Sequence, residues 1–460
     1  MTALASRIVC SGCGAAIQPH EAYPFRCPNA GGDGIDHVLV RVLDPAQVRF
    51  PGRNQLDREP DQPFLRYRGL LHAYHLAMAR GLADAEFCAL VTRLDQAVSR
   101  VDGHGFMVTP LRPSPELSSR LGFTAPGGVW VKDETGNVAG SHKGRHLMGL
   151  LLHLEVAERL GFADPADRRD LAIASCGNAA LAAAVVARAG GRRLRVFVPT
   201  DAEPDVVARL WELQADVVVC PRDEGIHGDP AYLRLREELD HGAVPFTCQG
   251  NENGLAIEGG ETLGYEIVSA LGGGGHPHAD VLDHIVVQVG GGALASACAQ
   301  ALREATELGA LPRLPRIHTV QTAGAHPLER AYWRVRAMLP AGPRPEDIDR
   351  ALRRAAANRQ AYMWPWEPAP HSIASGILDD ETYDWRAVVG AMLSTGGQAL
   401  VVTEERLAEA NKLGQAAGYP VDPTGSSGLA GLLDLRESGL VAASDKVGVL
   451  FTGVQRQGPP

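Results

Sequence analysis

The chain has 460 residues, a length that favours two or three domains over one core. Hydrophobic residues make up 45% and charged residues 21%, the proportions of an ordinary globular protein. The net charge of −10 argues against nucleic acid or an anionic membrane as a partner. No apolar run reaches the roughly 20 residues that a membrane span needs, and the first ten residues contain no signal-peptide core. Because most cysteines are scattered singly, we expect reduced thiols and a cytoplasmic location.

Residues 1–50 form a small module that contains three of the cysteines and resembles a zinc ribbon. A structural zinc ion needs four ligands, and Ala30 stands where a fourth cysteine is expected. His37 is the best candidate for the fourth ligand, and His20 and Asp36 are weaker candidates. A ribbon without metal is the alternative. The predicted zinc ligands are Cys10, Cys13, Cys27 and His37.

The rest of the chain divides into a linker and helical segment, residues 51–108, and a long α/β region, residues 109–455. Short β-rich runs alternate there with helix-length segments, a pattern typical of a parallel sheet. The runs fall into two groups, about 145–250 and 251–455, which predicts a smaller and a larger α/β lobe. The predicted strands are residues 171–174, 194–198, 216–220, 285–289, 317–321, 399–402 and 447–451.

Residues 131–146 (VKDETGNVAGSHKGRH) place Lys143 in a turn between an apolar strand, 129–131, and an apolar helix, 147–160. A lysine held in such a turn can be desolvated and positioned as a Schiff-base amine. A solvated surface lysine is the alternative, and the adjacent His142 is either a neighbour of a bound group or a packed turn residue.

Residues 290–295 (GGGALA) follow a predicted strand and open an Ala-rich helix. Small residues let backbone amides and the helix N-terminus approach a phosphate. The same letters satisfy a dinucleotide fingerprint, which calls for an acidic residue after the next strand. Because Gln321 and Thr322 stand there instead, a nicotinamide cofactor is disfavoured. A structural tight turn is the remaining alternative.

Two further loops precede helices. In residues 174–180 (ASCGNAA), Ser175 and Asn178 can either hold a carboxylate or cap the helix. Residues 421–432 (VDPTGSSGLAGL) are hydroxyl-rich, and they either present a hydroxyl to a heterocycle or form a capped helix start.

Six segments, in the order of the family, resemble the pyridoxal-phosphate enzymes of fold type II, the tryptophan-synthase-β group. Within that group, threonine synthase and its threonine/serine ammonia-lyase relatives are most similar. The resemblance runs from about residue 109 to residue 453. The segments are residues 109–111 (TPL), 131–134 (VKDE), 141–145 (SHKGR), 175–179 (SCGNA), 258–262 (EGGET) and 290–294 (GGGAL).

The resemblance implies a cofactor site for pyridoxal 5′-phosphate. Lys143 would bind the cofactor aldehyde as a Schiff base and act as the catalytic base. Thr424 would meet the pyridine nitrogen, with Ser426 as the alternative. The phosphate would be held by Gly290, Gly291, Gly292, Ala293 and Leu294.

The same resemblance implies that Ser175, Gly177 and Asn178 hold the substrate carboxylate, with Asn178 also bonding the 3′-oxygen of the cofactor ring. A hydroxyl at the ring nitrogen favours elimination or replacement over racemisation. We therefore expect a lyase acting on a small amino acid by β- or γ-elimination or replacement, similar to threonine synthase. The sequence VAGSHKGR at residues 138–145 differs from the usual threonine synthase run.

Because of that difference, a threonine/serine or diaminopropionate-type ammonia-lyase is the alternative function. A non-catalytic binding protein on the same fold is the alternative from a different class. The resemblance also implies a homodimer.

Overall fold

The structure is a computed structural model that describes residues 4–222, 228–272, 281–367 and 369–456. The strands are β1 (Ser6–Cys10), β2 (Leu39–Leu43), β3 (Leu111–Pro113), β4 (Gly128–Asp133), β5 (Leu171–Ala174), β6 (Leu194–Pro199), β7 (Asp216–Cys220), β8 (Val244–Pro245), β9 (His284–Gln288), β10 (Arg316–Thr322), β11 (Ala399–Val402) and β12 (Lys446–Phe451).

The α-helices follow the same chain order. They are α1 (Arg53–Leu56), α2 (Pro63–Arg66), α3 (His72–Ala79), α4 (Asp84–Asp102), α5 (Pro115–Arg120), α6 (Lys143–Arg159), α7 (Asn178–Ala189), α8 (Pro204–Glu212), α9 (Pro230–Asp240), α10 (Ala256–Ala270), α11 (Ala293–Glu307), α12 (Pro327–Arg336), α13 (Pro345–Ala356), α14 (Trp385–Thr395), α15 (Glu404–Ala416) and α16 (Ser427–Glu437). Short 3₁₀ helices cover Arg68–Leu70, Val138–Gly140, Arg359–Ala361 and Ser375–Ile377. None of the helices in the described ranges is both long and apolar enough to span a bilayer.

The chain divides into two compact units. The first comprises Met1–Asn29, His37–Val108 and Asn137–Thr262. Its main sheet has the order β7-β6-β5-β8 with parallel pairs throughout. Helices α7, α8 and α9 pack on that sheet, and β1 and β2 form a separate antiparallel pair.

The second unit comprises Ala30–Asp36, Thr109–Gly136 and Leu263–Pro460. Its sheet has the order β11-β10-β9-β12-β4-β3, and only the edge pair β3–β4 is antiparallel. Helices α11, α14 and α16 pack on the central strands, so β9 is buried along its whole length. The expectation of an α/β fold with mainly parallel sheets is confirmed, whereas the predicted domain boundaries stay predictions.

Two of the sequence motifs, TPL and VKDE, meet in a buried polar network of the second unit. Lys132 is fully buried and donates to Glu266, and its ammonium lies 2.6 Å from the Thr109 carbonyl oxygen. Thr109 Oγ1 donates to Glu134, which is also fully buried. Buried charges of this kind are stable only when they are paired, so the network fixes β4 against α10.

Candidate active site

The backbone around Lys143 is fixed by hydrogen bonds on its N-terminal side. The Asn137 side chain accepts from the Val138 N–H at 2.8 Å, and the Ala139 N–H donates to the Asp102 carboxylate at 2.9 Å. Ala139 has φ of 56°, a left-handed conformation that a residue with a Cβ rarely adopts. Lys143 is the first residue of α6, so the helix begins four residues before the predicted position. The strand predicted before this turn is present as β4.

The EGGET motif places the start of α10 directly on the first turns of α6. A Cβ at Gly259 would lie 2.9 Å from the Arg145 carbonyl carbon and closer still to its oxygen. A Cβ at Gly260 would lie 2.7 Å from His146 Nδ1, and one at Gly149 would lie 2.8 Å from the Gly259 Cα. These glycines therefore allow a close helix–helix contact two residues after Lys143.

Side chains fix the same contact. Arg145 and His146 are fully buried; Arg145 Nη1 donates to Thr262 Oγ1 at 3.0 Å, and His146 Nδ1 lies 2.7 Å from the Ala256 carbonyl oxygen. The His142 ring packs edge-on against His146, with centroids 5.8 Å apart. Hydrogen bonds therefore hold the backbone before Lys143, and side-chain contacts hold the residues that follow it in α6.

The loop that connects β5 to α7 carries the residues predicted to bind the substrate carboxylate. Gly177 is the N-cap residue of α7, so neither Ser175 nor Asn178 occupies the capping position. Ser175 Oγ accepts from the Gly177 N–H at 3.4 Å. Helix α7 packs against both α6 and the 3₁₀ turn Val138–Gly140, so this loop and the Lys143 turn belong to adjoining elements of the first unit.

The glycine loop (residues 290–294) connects β9 to α11 in the second unit. Gly292 has φ of 99°, which favours glycine, and α11 has no side-chain cap. The Gly290 carbonyl oxygen accepts from Thr382 Oγ1 at 2.9 Å, and the Gly291 carbonyl oxygen accepts from the Asp384 N–H at 3.1 Å. Within the described residues, no protein acceptor is bonded to the N–H groups of residues 290–293. The loop therefore offers amides, not carbonyls, to an anion.

Gln321 stands where a dinucleotide-binding fingerprint would have an acidic residue, and its side chain stabilises the start of a helix. Its Oε1 accepts from the Leu328 N–H at 2.8 Å and from the Glu329 N–H at 3.2 Å, at the start of α12. The side chain thus accepts from two N–H groups of the first turn of α12, in the manner of a helix cap.

The turn before α16 distinguishes Thr424 from Ser426. Ser426 is fully buried, and its hydroxyl donates to the Asp422 carbonyl at 2.9 Å. Thr424 is half-buried, and its Oγ1 accepts from the Gly376 N–H at 3.0 Å. Gln288, at the end of β9, donates to the Gly425 carbonyl at 2.8 Å. This bond connects the Thr424 turn to the strand that leads into the glycine loop.

A nine-residue segment that the sequence did not indicate lies against the glycine loop. This strap (residues 376–384) contributes Thr382 and Asp384 to the bonds described above. A Cβ at Gly291 would lie 2.8 Å from the Tyr383 ring, and one at Gly292 would lie 2.9 Å from Thr382 Cγ2. No sequence pattern connects segments so far apart in the chain, so only the fold could reveal this contact.

The four predicted zinc ligands come together in the first unit. Their ligand atoms all lie within 4.8 Å of one another; Cys13 Sγ and Cys27 Sγ are 3.6 Å apart, and Cys10 Sγ and His37 Nδ1 are 3.5 Å apart. Tetrahedral zinc with Zn–S of about 2.3 Å and Zn–N of about 2.0 Å gives edges of about 3.8 Å and 3.5 Å. The spacing therefore fits a zinc ion bound by three cysteines and one histidine.

One thiol of the cluster is shifted toward the metal-binding form. Desolvation opposes ionisation of the Cys13 thiol, but hydrogen bonds from the Ala15 backbone and the Asn29 side chain outweigh it and lower its pKa to about 6, whereas burial raises the pKa of the neighbouring Cys27 thiol to about 12. A thiolate is the form that binds metal. The weaker substitute Asp36 instead pairs with Arg359, at 3.2 Å between Oδ1 and Nε, and burial raises the pKa of this carboxyl.

The fold and these sites define a class of protein. Two α/β units, each with a mainly parallel sheet, a lysine at a helix start and a glycine loop with available amides are the expected parts of a pyridoxal-phosphate enzyme. The chain matches the family "Pyridoxal-phosphate dependent enzyme" over residues 104–453 and belongs to that family. The expectation of a fold type II pyridoxal-phosphate-dependent lyase is confirmed. The alternative of a non-catalytic binding protein does not agree with this assignment.

Known proteins of this family are similar over most of the chain. Threonine synthase from Methanocaldococcus jannaschii is 25% identical over 347 residues, which cover 75% of this chain and 74% of the relative. Threonine synthase from Synechocystis sp. is 25% identical over 397 residues, covering 86% and 84% of the two chains. The solved structure of the T.th. threonine deaminase has a TM-score of 0.57 at 21% identity and covers 80% of this chain and 99% of that one. This last likeness shows the fold.

Proposed function

We propose that this enzyme eliminates or replaces a β or γ substituent of a small amino acid, as its threonine synthase relatives suggest. The observation that carries the proposal is the anchored position of Lys143 at the start of α6. A threonine/serine or diaminopropionate-type ammonia-lyase is the second candidate. It is supported by the solved structure of the Escherichia coli diaminopropionate ammonia lyase, with a TM-score of 0.55 at 16% identity, which shares the fold.

The cofactor residues form two groups. In the first unit, Lys143 binds the cofactor covalently, while Ser175, Gly177 and Asn178 hold the substrate carboxylate through hydroxyl, amide and backbone donors. In the second unit, the glycine loop binds the cofactor phosphate and Thr424 meets the ring nitrogen. When bound, pyridoxal phosphate supplies an electron sink for charge that develops at the substrate Cα.

The residues of the chain control the protons of the reaction. Lys143 removes the proton from the substrate Cα as a general base. Thr424 offers a neutral hydroxyl, which cannot protonate the ring nitrogen as a carboxylic acid would. The electron sink is then weaker, so prompt loss of a leaving group is favoured.

The lysine content of the chain supports Lys143 as the Schiff-base residue. The sequence contains only three other lysines: Lys132, Lys412 and Lys446. Lys132 is fully buried in the network with Glu266, and Lys412 is exposed on α15. Lys446 is the first residue of β12, which runs parallel to β9. It therefore lies at the amino-terminal end of these strands, whereas the glycine loop follows the carboxy-terminal end of β9.

The test is chemical trapping. The purified protein should be yellow, and borohydride should bleach the chromophore and attach the cofactor to the peptide containing Lys143. Lys143→Ala should abolish the trapped adduct, whereas Lys412→Ala, an exposed control, should leave it unchanged. A borohydride-stable adduct on another lysine in Lys143→Ala would contradict the assignment.

The substrate is tested separately. Phosphate release from phosphohomoserine supports the threonine synthase-like activity. Formation of a 2-oxoacid from threonine, serine or diaminopropionate supports the ammonia-lyase. Both assays use the yellow holoenzyme. A negative result in both would therefore exclude these substrates, while the borohydride adduct on Lys143 would still support the Schiff-base assignment.

We also propose that Cys10, Cys13, Cys27 and His37 bind a structural zinc ion. The set is closed, with four protein ligands and no open position for substrate, so its role is to stabilise the amino-terminal module. Homodimer formation and the cytoplasmic location stay predictions.

A further inference from the structure

A buried arginine of the amino-terminal module binds the start of α10. Arg41 lies on β2, and only 2% of its side chain is exposed. Its Nε lies 3.3 Å from Glu258 Oε2, and its Nη2 donates to Glu261. Both carboxylates are buried, with 6% and 0% of their side chains exposed. The planar fork of one guanidinium therefore holds two carboxylates of the same helix, which the single point charge of a lysine could not do.

The backbone of the module packs on the same part of the first unit. The Gly254 N–H, just before α10, donates to the Phe25 carbonyl at 3.1 Å. A Cβ at Gly254 would lie 2.7 Å from the Leu39 carbonyl carbon, so β2 and this loop are in close contact. Glu258 also accepts at 2.8 Å from the His72 N–H, at the start of α3. The module and α3 therefore both hold the first turn of α10.

The two carboxylates that Arg41 binds flank the glycine pair of the EGGET motif. That pair packs on α6, where a Cβ at Gly259 would lie 2.9 Å from the Arg145 carbonyl carbon. Lys143 is two residues before Arg145 and begins the helix. We propose that Arg41 is a positioning residue for Lys143: it fixes the start of α10, which in turn fixes the first turn of α6. This inference rests on the proposed function, because it takes Lys143 as the Schiff-base residue.

Arg41→Lys tests the proposal, since it keeps a buried cation but cannot hold both carboxylates. Two quantities are measured on the whole chain: the Kd of pyridoxal phosphate, from the absorbance of the Schiff base, and the hydrogen-exchange rates of the amides of residues 145–150. Both should rise about tenfold, a size typical of coupling within one ion-pair network. Arg41→Met should act in the same direction. If circular dichroism shows that Arg41→Met does not fold, Arg41→Lys alone decides.

Arg192→Lys is the matched control. The Arg192 side chain is 4% exposed, and its Nη2 lies 3.1 Å from Glu155 Oε1 and 2.7 Å from Glu158 Oε1, so it also holds two carboxylates of one helix. These carboxylates lie near the end of α6, whereas Lys143 is at its start. Arg192→Lys should therefore lower Tm as Arg41→Lys does. Its Kd for pyridoxal phosphate should stay within about twofold of the wild type, with unchanged exchange at residues 145–150.

Unchanged Kd and exchange rates in Arg41→Lys would overturn the inference, because Arg41 would then serve stability alone. Equal effects in Arg192→Lys would overturn it too, because a general loss of stability would then be the cause. The proposed function is tested apart from this inference. If borohydride traps no cofactor on Lys143 in the wild type, that function fails, whereas the exchange rates still show whether Arg41 fixes the start of α6.

Discussion

Replacing Gly259 with alanine tests whether the α6–α10 contact positions Lys143. The new Cβ would lie 2.9 Å from the Arg145 carbonyl carbon and closer to its oxygen, and both are backbone atoms. Neither can rotate away, so one helix has to shift. Overpacking of this kind costs about 1–3 kcal/mol. Alanine in a helix interior returns up to about 1 kcal/mol relative to glycine. We expect a net loss of about 1–2 kcal/mol.

The assay combines unfolding with catalysis. For a unit of this size, each kcal/mol lowers Tm by about 2–4 °C, so Gly259→Ala should lose a few degrees. A shift of about 1 Å at Lys143 should also lower turnover by about 100-fold at temperatures where the variant is folded. Gly69→Ala is the control, because no atom lies within 4 Å of its new Cβ. If both variants have the same Tm and turnover, the contact does not position Lys143.

Three further predictions concern stability. Lys132→Met leaves Glu266 buried without its cation, so the free energy of unfolding in urea should fall by about 3–5 kcal/mol; an unchanged value would exclude a strong buried pair. Burial lowers the pKa of His75 and of His153 to about 4, whereas both titrate near 6.5 when unfolded. The unfolded state therefore binds more protons between pH 6.5 and 4, and stability should decrease as pH falls through this window, by up to about 3 kcal/mol per histidine. Replacing both with glutamine should reduce the slope of that pH profile, whereas the buried His72 and His318, whose pKa values burial also lowers, keep part of it; an unchanged slope would assign the dependence to other groups. Finally, a chelator should remove one zinc per chain and lower Tm; absence of zinc by elemental analysis would contradict the cluster.

The buried parallel strands could be predicted from sequence, because both faces of such strands are apolar and the runs stand out. Residues 171–174, 216–220 and 399–402 form strands with the predicted limits. The two-residue strand β8 and the edge strand β3 carry too few residues for any pattern. The apolar pattern places the start of α6 too late, because Lys143, Arg145 and His146 are polar although they are helical and, for Arg145 and His146, fully buried.

The candidate site shows a similar division. Local patterns identify Lys143 and the glycine loop, since each adjoins a recognisable strand or helix. His37 could be suggested only because zinc needs a fourth ligand, and its meeting with the cysteines depends on the β1–β2 pairing, Cys10 opposite Leu39. The strap could not be predicted, because nothing in the sequence of residues 376–384 indicates that this segment will contact the glycine loop.

Glycine illustrates why sequence reasoning stops where it does. Gly292 is required by its positive φ, Gly259 by a neighbouring helix, and Gly290 by the strap. The three residues look alike in sequence, so a run of glycines after a strand cannot distinguish a phosphate cradle from close packing. The hydrogen bonds distinguish them in part: the carbonyls of the loop are bonded to the strap, while the N–H groups of residues 290–293 have no protein acceptor within the described residues. The glycines therefore serve packing on one side and leave donors for an anion on the other, and the two roles are not alternatives.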